Sequence, residues 1–260
     1  MFLSGLSVQK RVVHALFLRE LKTRFGKYRL GYLWALLEPV AHLAVLMLIF
    51  GYVMSRVMPE ISFLVFLVNG LVPWFLFSNI TSRSLTAIEA NRGLLSYAPV
   101  HPVDTLLSRT LLESMIYVAV YVILMAILWL QGESITLINV PRLLSIWLAI
   151  TVLSMGLGLI FMVIGHAFNE AQKILPIILK PLYFISGIMF SINIIPQQYH
   201  YLVDWNPLLH AFELLRQTVV PAYQIMPSLS LGYLWQSAVV VLAIGLIVYK
   251  GREPAILRSS

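Results

Sequence analysis

Residues 21–39 read LKTRFGKYRLGYLWALLEP. The first half interleaves Lys22, Arg24, Lys27 and Arg29 with apolar residues. The second half opens a long apolar run that already contains Pro39. At a bilayer surface that order makes physical sense, because cations hold at the headgroups while the apolar run enters the hydrocarbon. Upstream, Val13, Phe17, Leu21, Phe25 and Tyr28 recur at three- and four-residue steps, which is one face of a helix. Arg11, Arg19, Lys22, Lys27 and Arg29 fall mostly on the other face. The stretch predicts a change of direction. An amphipathic interface helix over 1–31 lies on the inner membrane surface, and a crossing helix follows. Gly31 permits the bend or a close helix contact, Trp34 suits the interface, and Pro39 kinks the first span near its inner end.

Composition agrees. The 260 residues are 60% hydrophobic and 11% charged, with a mean hydropathy of +0.87, against about 25% charged in ordinary soluble domains. The net charge of +7 is concentrated at one end, since seven of the eighteen Lys and Arg precede residue 30. Such clustering sets membrane orientation, and a basic arm joined to membrane spans argues against nucleic acid as a partner. The chain has no cysteine, which excludes disulfides, thiolate metal sites and a Cys nucleophile. The charges from Lys10 to Arg29 interrupt any secretory-signal pattern.

Six stretches approach the roughly 20 residues a membrane helix needs: 32–54, 61–80, 105–130, 143–164, 174–195 and 231–249. The expected fold is therefore all-α, with six transmembrane helices. The second stretch holds Asn69, Gly70 and Pro73, and the fifth holds Pro176, Lys180 and Pro181, so both predict broken or re-entrant geometry. The basic arm and the Lys250, Arg252, Arg258 tail (250–260) put both termini in the cytoplasm. Segment 82–104 is then inside and 196–230 outside. The outer segment carries Pro196, Pro207, Pro221 and Pro227 with Tyr199, Tyr201, Trp205 and Tyr223. Within it, Asn206 is an N-cap, Pro207 a first helical residue, and His210, Glu213 and Arg216 recur at three-residue steps. Short amphipathic helices resting on the outer surface are expected.

The chemistry-bearing motifs are absent. Gly26-Lys27 lacks the earlier Gly and the following Ser or Thr of a phosphate-binding loop, and neither H-E-x-x-H nor G-x-S-x-G occurs. The histidines at 14, 42, 101, 166, 200 and 210 have no ligand spacing. The chain reads as a non-enzyme with no ATPase site, metal or cofactor of its own. No internal repeat is visible, against a transporter built from paired repeats. Arg109 and Glu113, four apart in the third span, are placed to pair on one face. Lys180 either snorkels to the inner interface or faces a pathway and attracts an anionic substrate. Segment 82–102, SRSLTAIEANRGLLSYAPVHP, predicts a short helix, a stop at Asn91-Arg92-Gly93 and a Pro-bounded turn. It fits either a docking element or a simple surface loop.

Four motifs carry a family resemblance. RELKTRFGKYRLGYLWALLEP (19–39) has Arg19-Glu20, Arg24, Gly31, Trp34 and Pro39. NGLVPWFLFSN (69–79), Asn91 with Leu94, Leu95 and Pro102, and NPLLHAFELLRQ (206–217) follow in order. Together they resemble type-2 ABC exporter permeases. YAPVHPVDTLLSRTLLE (97–113) is most similar to the capsular polysaccharide export group (KpsM-like), whose O-antigen and teichoic acid relatives have a more basic loop where this chain has Tyr97 and His101.

The resemblance implies a homodimeric permease with two separate nucleotide-binding ATPase subunits, which bind ATP and Mg. It would move a lipid-linked, acidic capsular polysaccharide across the bacterial inner membrane, joined by periplasmic and outer-membrane export proteins. It assigns coupling to the loop 82–104, with Glu89, Asn91, Arg92, Leu94 and Tyr97, and periplasmic gating to 196–230, with Trp205, Asn206, Pro207, Glu213 and Arg216. A polysaccharide path needs aromatic platforms, which makes Trp34, Trp74, Phe75 and Tyr183 candidate lining residues, with Lys180 holding acidic sugar. The alternatives are a permease of the same family for O-antigen, teichoic acid, another lipid or a drug, and a non-transporting membrane scaffold.

Overall fold

The computed structural model describes residues 2–25, 33–95, 97, 100–136, 139–168 and 170–259. Gly31 and the expected bend lie outside the described residues. The described chain is helical, without a strand: α1 (Phe2–Phe25), α2 (Leu33–Val57), α3 (Phe63–Ser84), α4 (Arg92–Leu95), α5 (Pro102–Leu130), α6 (Val140–Ala167), α7 (Ala171–Ile185), α8 (Pro207–Val219) and α9 (Leu231–Ser259). A 3-10 turn, Glu89–Asn91, precedes α4, and two more lie between α7 and α8. Five of these helices, α2, α3, α5, α6 and α9, are long and apolar enough to cross a membrane.

Local chemistry starts several helices, at Asn206-Pro207 as expected and, for α5 and α6, three residues before the apolar stretches begin. Pro102 opens α5, and Asp104 Oδ2 accepts the backbone N–H of the N-cap His101 at 3.0 Å. Asn139 Oδ1 caps α6 by accepting the Arg142 N–H at 3.0 Å. Asn206 Oδ1 caps α8 by accepting the Leu208 N–H at 3.0 Å, with Pro207 next.

The central helix is α3, buried on nearly all sides, whereas α2 and α9 bury little of their surface. α6 and α9 cross backbone to backbone. A Cβ at Gly156 would meet Leu242 N at 2.6 Å, and one at Gly245 would meet the carbonyl of Gly156. Small residues permit this approach in place of the hydrophobic drive that lipid does not supply.

Contacts assign the two ends of the bundle. At one end, Gln9 of α1 meets Asp104 of α5 at 3.1 Å, and His101 meets Glu253 of α9 at 3.1 Å. There Tyr249 and Ile256 pack with Ala87, Ile88, Leu95 and Leu106. At the other end, Ser62 donates to Glu133 at 2.8 Å and the Thr136 N–H to the Val219 carbonyl at 2.9 Å.

Several expectations are corrected. α3 is one continuous helix despite Asn69, Gly70 and Pro73. The Asn69 amide donates to the Val65 carbonyl at 2.8 Å and its oxygen accepts the Tyr121 hydroxyl at 2.8 Å, so the polar group is satisfied inside the bundle. The stretch 174–195 does break. Its helix, α7, has 15 residues, about 22 Å at 1.5 Å per residue. It ends at Ile185, and Gly187 just past the C-cap has a φ of +68, the left-handed conformation that terminates helices. α8 does not rest on a surface: it is buried among α3, α6 and α9. Residues 250–259 continue α9 as helix rather than forming a separate tail.

Candidate functional site

Three clusters occupy successive levels of the bundle. The first clasps α1 to the loop and α5. Arg19 Nη1 donates to Asn91 Oδ1 at 3.0 Å. Glu20 accepts from Arg109 Nη2 at 2.7 Å, and Arg109 Nη1 reaches the Arg83 carbonyl at 2.7 Å. Arg24 pairs with Glu113, which is 1% exposed and lies 3.5 Å from Arg83 Nε. The expected Arg109–Glu113 pair within α5 is therefore replaced by two pairs across helices. Each α5 residue takes the opposite charge offered by RELKTR, and an ion pair between packed helices excludes water better than one along a single helix surface.

Asn91 is anchored on both sides, because its amide also donates to the Ala87 carbonyl at 2.8 Å. Leu94 is half-buried, while Glu89, Arg92 and Tyr97 are exposed. Glu89 and Arg92 approach at 3.8 Å. Of the five residues assigned to coupling, three face outward and Asn91 holds the turn from beneath.

The second cluster is aromatic and joins α2, α3, α5 and α7. Tyr183 packs edge-on to Trp74 at 5.4 Å between ring centroids. His42 Nε2 lies 3.1 Å from the Tyr183 hydroxyl and 5.6 Å, ring to ring, from Phe75. Phe75 stacks on Tyr117 at 6.2 Å, and Asn79 donates to the Tyr117 hydroxyl at 2.9 Å. Trp74, Phe75 and Tyr183, predicted separately, thus meet. Trp34 does not join them: it is exposed at the start of α2. Lys180 sits one turn before Tyr183 on an exposed position of α7.

The third cluster lies where α7 breaks. Arg216 and Glu213 are each 0% exposed. Arg216 Nη1 donates to Glu213 Oε1 at 2.7 Å, Nη2 to the carbonyls of Gly187 at 2.8 Å and Ile188 at 3.4 Å, and Nε to the Phe66 carbonyl at 3.3 Å. Its guanidinium lies 3.4 Å over the Phe66 ring. Gly70 makes room for it, since a Cβ there would meet Nη2 at 2.8 Å. Glu213 Oε2 accepts the Tyr223 hydroxyl at 2.9 Å, and the Tyr223 hydroxyl oxygen lies 2.7 Å from Ser191 Oγ. Burial raises the Glu213 carboxyl above its ordinary value, with Arg216 and Tyr223 pulling the other way. Burial and the Glu213 charge raise Tyr223. Asn206 Nδ2 donates to Ser186 at 2.9 Å, tying the start of α8 to the end of α7. Trp205 remains exposed, its indole N–H on the Leu202 carbonyl at 2.7 Å.

Sequence reasoning singled out Arg24, Glu213 and Arg216 but missed most of their partners. Glu20 carried a usable signal, an acid inside a run of cations in an acid-poor chain, whereas Glu113 was visible only through its spacing from Arg109. Tyr223 and Gly187 carried none, because their roles arise only where chain breaks bring them together. Among the described residues no group of His, Cys, Asp and Glu could hold a metal.

Comparisons with known proteins follow the same outline. A family model described as ABC-2 type transporter matches residues 11–220. The chain is 57% identical over 256 residues to the polysialic acid transport protein KpsM of Escherichia coli, covering 98% of this chain and 99% of that one. It is 29% identical over 268 residues to the capsule polysaccharide export inner-membrane protein BexB of Haemophilus influenzae, covering 97% of each. It is 28% identical over 215 residues to the capsule polysaccharide export inner-membrane protein CtrC of Neisseria meningitidis, covering 83% of this chain and 81% of that one.

Proposed function

The chain belongs to the ABC-2 type transporter family, and on that premise we propose that it is the membrane-spanning permease of an ATP-driven exporter of capsular polysaccharide at the bacterial inner membrane. The observation that carries this reading is the 57% identity to a polysialic acid transport protein along essentially the whole of both chains. Polysialic acid is a polyanion, so the cargo of this chain is an acidic polymer carried on a lipid.

The chain acts as a homodimer with two separate ATPase subunits, which supply ATP and Mg chemistry that no motif here encodes. The 82–104 segment docks on those subunits through Glu89, Arg92 and Tyr97, with Asn91 fixing the turn against Arg19. α7 and the chain after Gly187 make the fifth of six crossings. That count keeps both termini on the cytoplasmic side, consistent with the contacts of α1 and α9 at one end of the bundle. The irregular backbone is tolerated because Arg216 and Asn206 satisfy it inside the protein. Trp74, Phe75 and Tyr183, with Lys180 beside them, form the inner portion of the polymer path. Residues 196–230 gate its outer end.

Deleting the gene in a capsulated host tests the reading. Surface polymer is lost, polymer accumulates inside the cell, and the ATPase subunit co-purifies with the restored protein. Unchanged surface polymer in the deletion strain would rule the reading out.

A further inference from the structure

The basic residues of α1 differ in what holds them. Arg19 and Arg24 are committed to Asn91 and Glu113. Lys10 and His14, one turn apart, have no hydrogen-bond or ion-pair partner among the described residues. Both line a cavity of about 440 Å³ between α1 and α5, together with Val13, Phe17, Leu107 and Leu111. That volume is in the range of small-molecule sites, roughly 300–1,000 Å³.

The cavity has a polarity. Gln9 meets Asp104, Glu20 meets Arg109 and Arg24 meets Glu113, so α1 advances along α5 in the same direction. Asp104 is two residues past the start of α5, which places Lys10 and His14 toward the membrane surface. Phe17 and Leu111 lie further along, and Leu111 is 44% exposed on a membrane-crossing helix. A rim of one cation, Lys10, and one imidazole, His14, thus sits at headgroup level above an apolar slot open to hydrocarbon. A phospholipid with a negative headgroup has the same arrangement of charge and apolar tail.

We infer that the groove between α1 and α5 binds one anionic phospholipid of the inner leaflet, its phosphate at Lys10 and His14 and an acyl chain along Val13, Phe17, Leu107 and Leu111. The bound lipid extends the packing of α1 on α5 beyond the ionic clasp. The inference rests on the proposed cytoplasmic side of α1 but not on the identity of the exported polymer.

Native mass spectrometry of the full-length protein, titrated with dioleoylphosphatidylglycerol or dioleoylphosphatidylcholine, reads the site directly. The phosphatidylglycerol is retained more tightly. Lys10→Gln weakens it about fivefold, the effect of one cation near an anionic surface, while Lys22→Gln, outside the groove, leaves it unchanged. Leu111→Trp fills the slot and lowers retention of both lipids, with the melting temperature of each variant as a check on folding. Equal retention of the two lipids, or equal losses from Lys10→Gln and Lys22→Gln, would reduce the site to diffuse surface attraction and overturn the inference. So would full competition by glycerol 1-phosphate, which has no acyl chain, or dimers that carry no lipid because a second copy fills the groove.

Discussion

Arg216→Met replaces the guanidinium at the break after α7 with an apolar side chain of similar length. In the native protein the guanidinium makes hydrogen bonds to Glu213 and to the carbonyls of Gly187, Ile188 and Phe66, all out of contact with solvent. The substitution leaves Glu213 buried with the Tyr223 hydroxyl and the Ile192 backbone N–H on its carboxylate but no counter-charge. Breaking one side of a buried ion pair costs about 3–5 kcal/mol, and each orphaned buried carbonyl about 1–3 kcal/mol. Partial relaxation keeps these from summing, and a loss of about 5 kcal/mol is expected. At roughly 2–4 °C per kcal/mol for a chain of this size, the midpoint of thermal unfolding in detergent falls by more than about 10 °C, and protease cuts within 186–206. The double variant Glu213→Leu with Arg216→Met discriminates between two roles. It removes the stranded charge, yet the Gly187 and Ile188 carbonyls still lack a donor, so it recovers only part of the loss. A full recovery would mean that Arg216 merely balances Glu213. A single-variant shift under about 4 °C, near 1 kcal/mol, would mean that it does not hold the break at all.

Exchanging charges across the clasp gives a second test: Arg24→Glu and Glu113→Arg each destabilise the protein, and the double exchange recovers about 1–3 kcal/mol in a thermal double-mutant cycle. Gly156→Ala costs about 1–3 kcal/mol by overpacking, because its Cβ would meet the Leu242 backbone at 2.6 Å, whereas Gly93→Ala, with nothing within 4 Å, stays within about 0.5 kcal/mol. Charge reversal at Glu89 and Arg92 with Tyr97→Ala leaves membrane insertion intact but uncouples ATP hydrolysis from export, read as ATPase activity without surface polymer. Lys180→Gln slows export of an acidic polymer; an unchanged rate would assign Lys180 to the headgroups instead.

The sequence made the long helices legible through apolar length, and α5, α6 and α8 also carry end chemistry. Pro102, Asn139 and Asn206 start their helices at or just before the point where the hydrophobic pattern begins. Proline alone misled in α3. Pro73 removes one backbone donor, but burial on all sides and the Asn69–Tyr121 bond keep the helix continuous. Amphipathic spacing also misled in α8. Glu213 and Arg216 look like a solvated face in one dimension, yet each neutralises the other and Arg216 takes up carbonyls that a different segment leaves free. That need is invisible until α7 is seen to end just before Gly187. The Arg109–Glu113 expectation failed for a related reason: helical spacing identifies who can pair locally, not which partner a neighbouring helix offers.

The three clusters bear on how ATP-driven motion at the loop could reach the membrane. α1 is tied to the loop by Arg19–Asn91 and to α5 by two ion pairs, so a force on Asn91 does not act on a free loop. It acts on a helix fixed at two further points. From Glu113, Tyr117 is one turn along α5, and its ring stacks on Phe75, which touches His42, which meets Tyr183. The contacts therefore run from the turn at Asn91 to α2 and α7. The character of the contacts changes along the way. The inner ones are charged and hold one geometry, whereas the aromatic ones near Tyr183 have tilted and edge-on rings, with a single hydrogen bond between α2 and α7. Aromatic contacts of this kind are worth about 0.5–1.5 kcal/mol each, well below a buried ion pair. A displacement that enters at Asn91 would leave the clasp intact and part α2 from α7 first, at the level of Trp74, Phe75 and Tyr183.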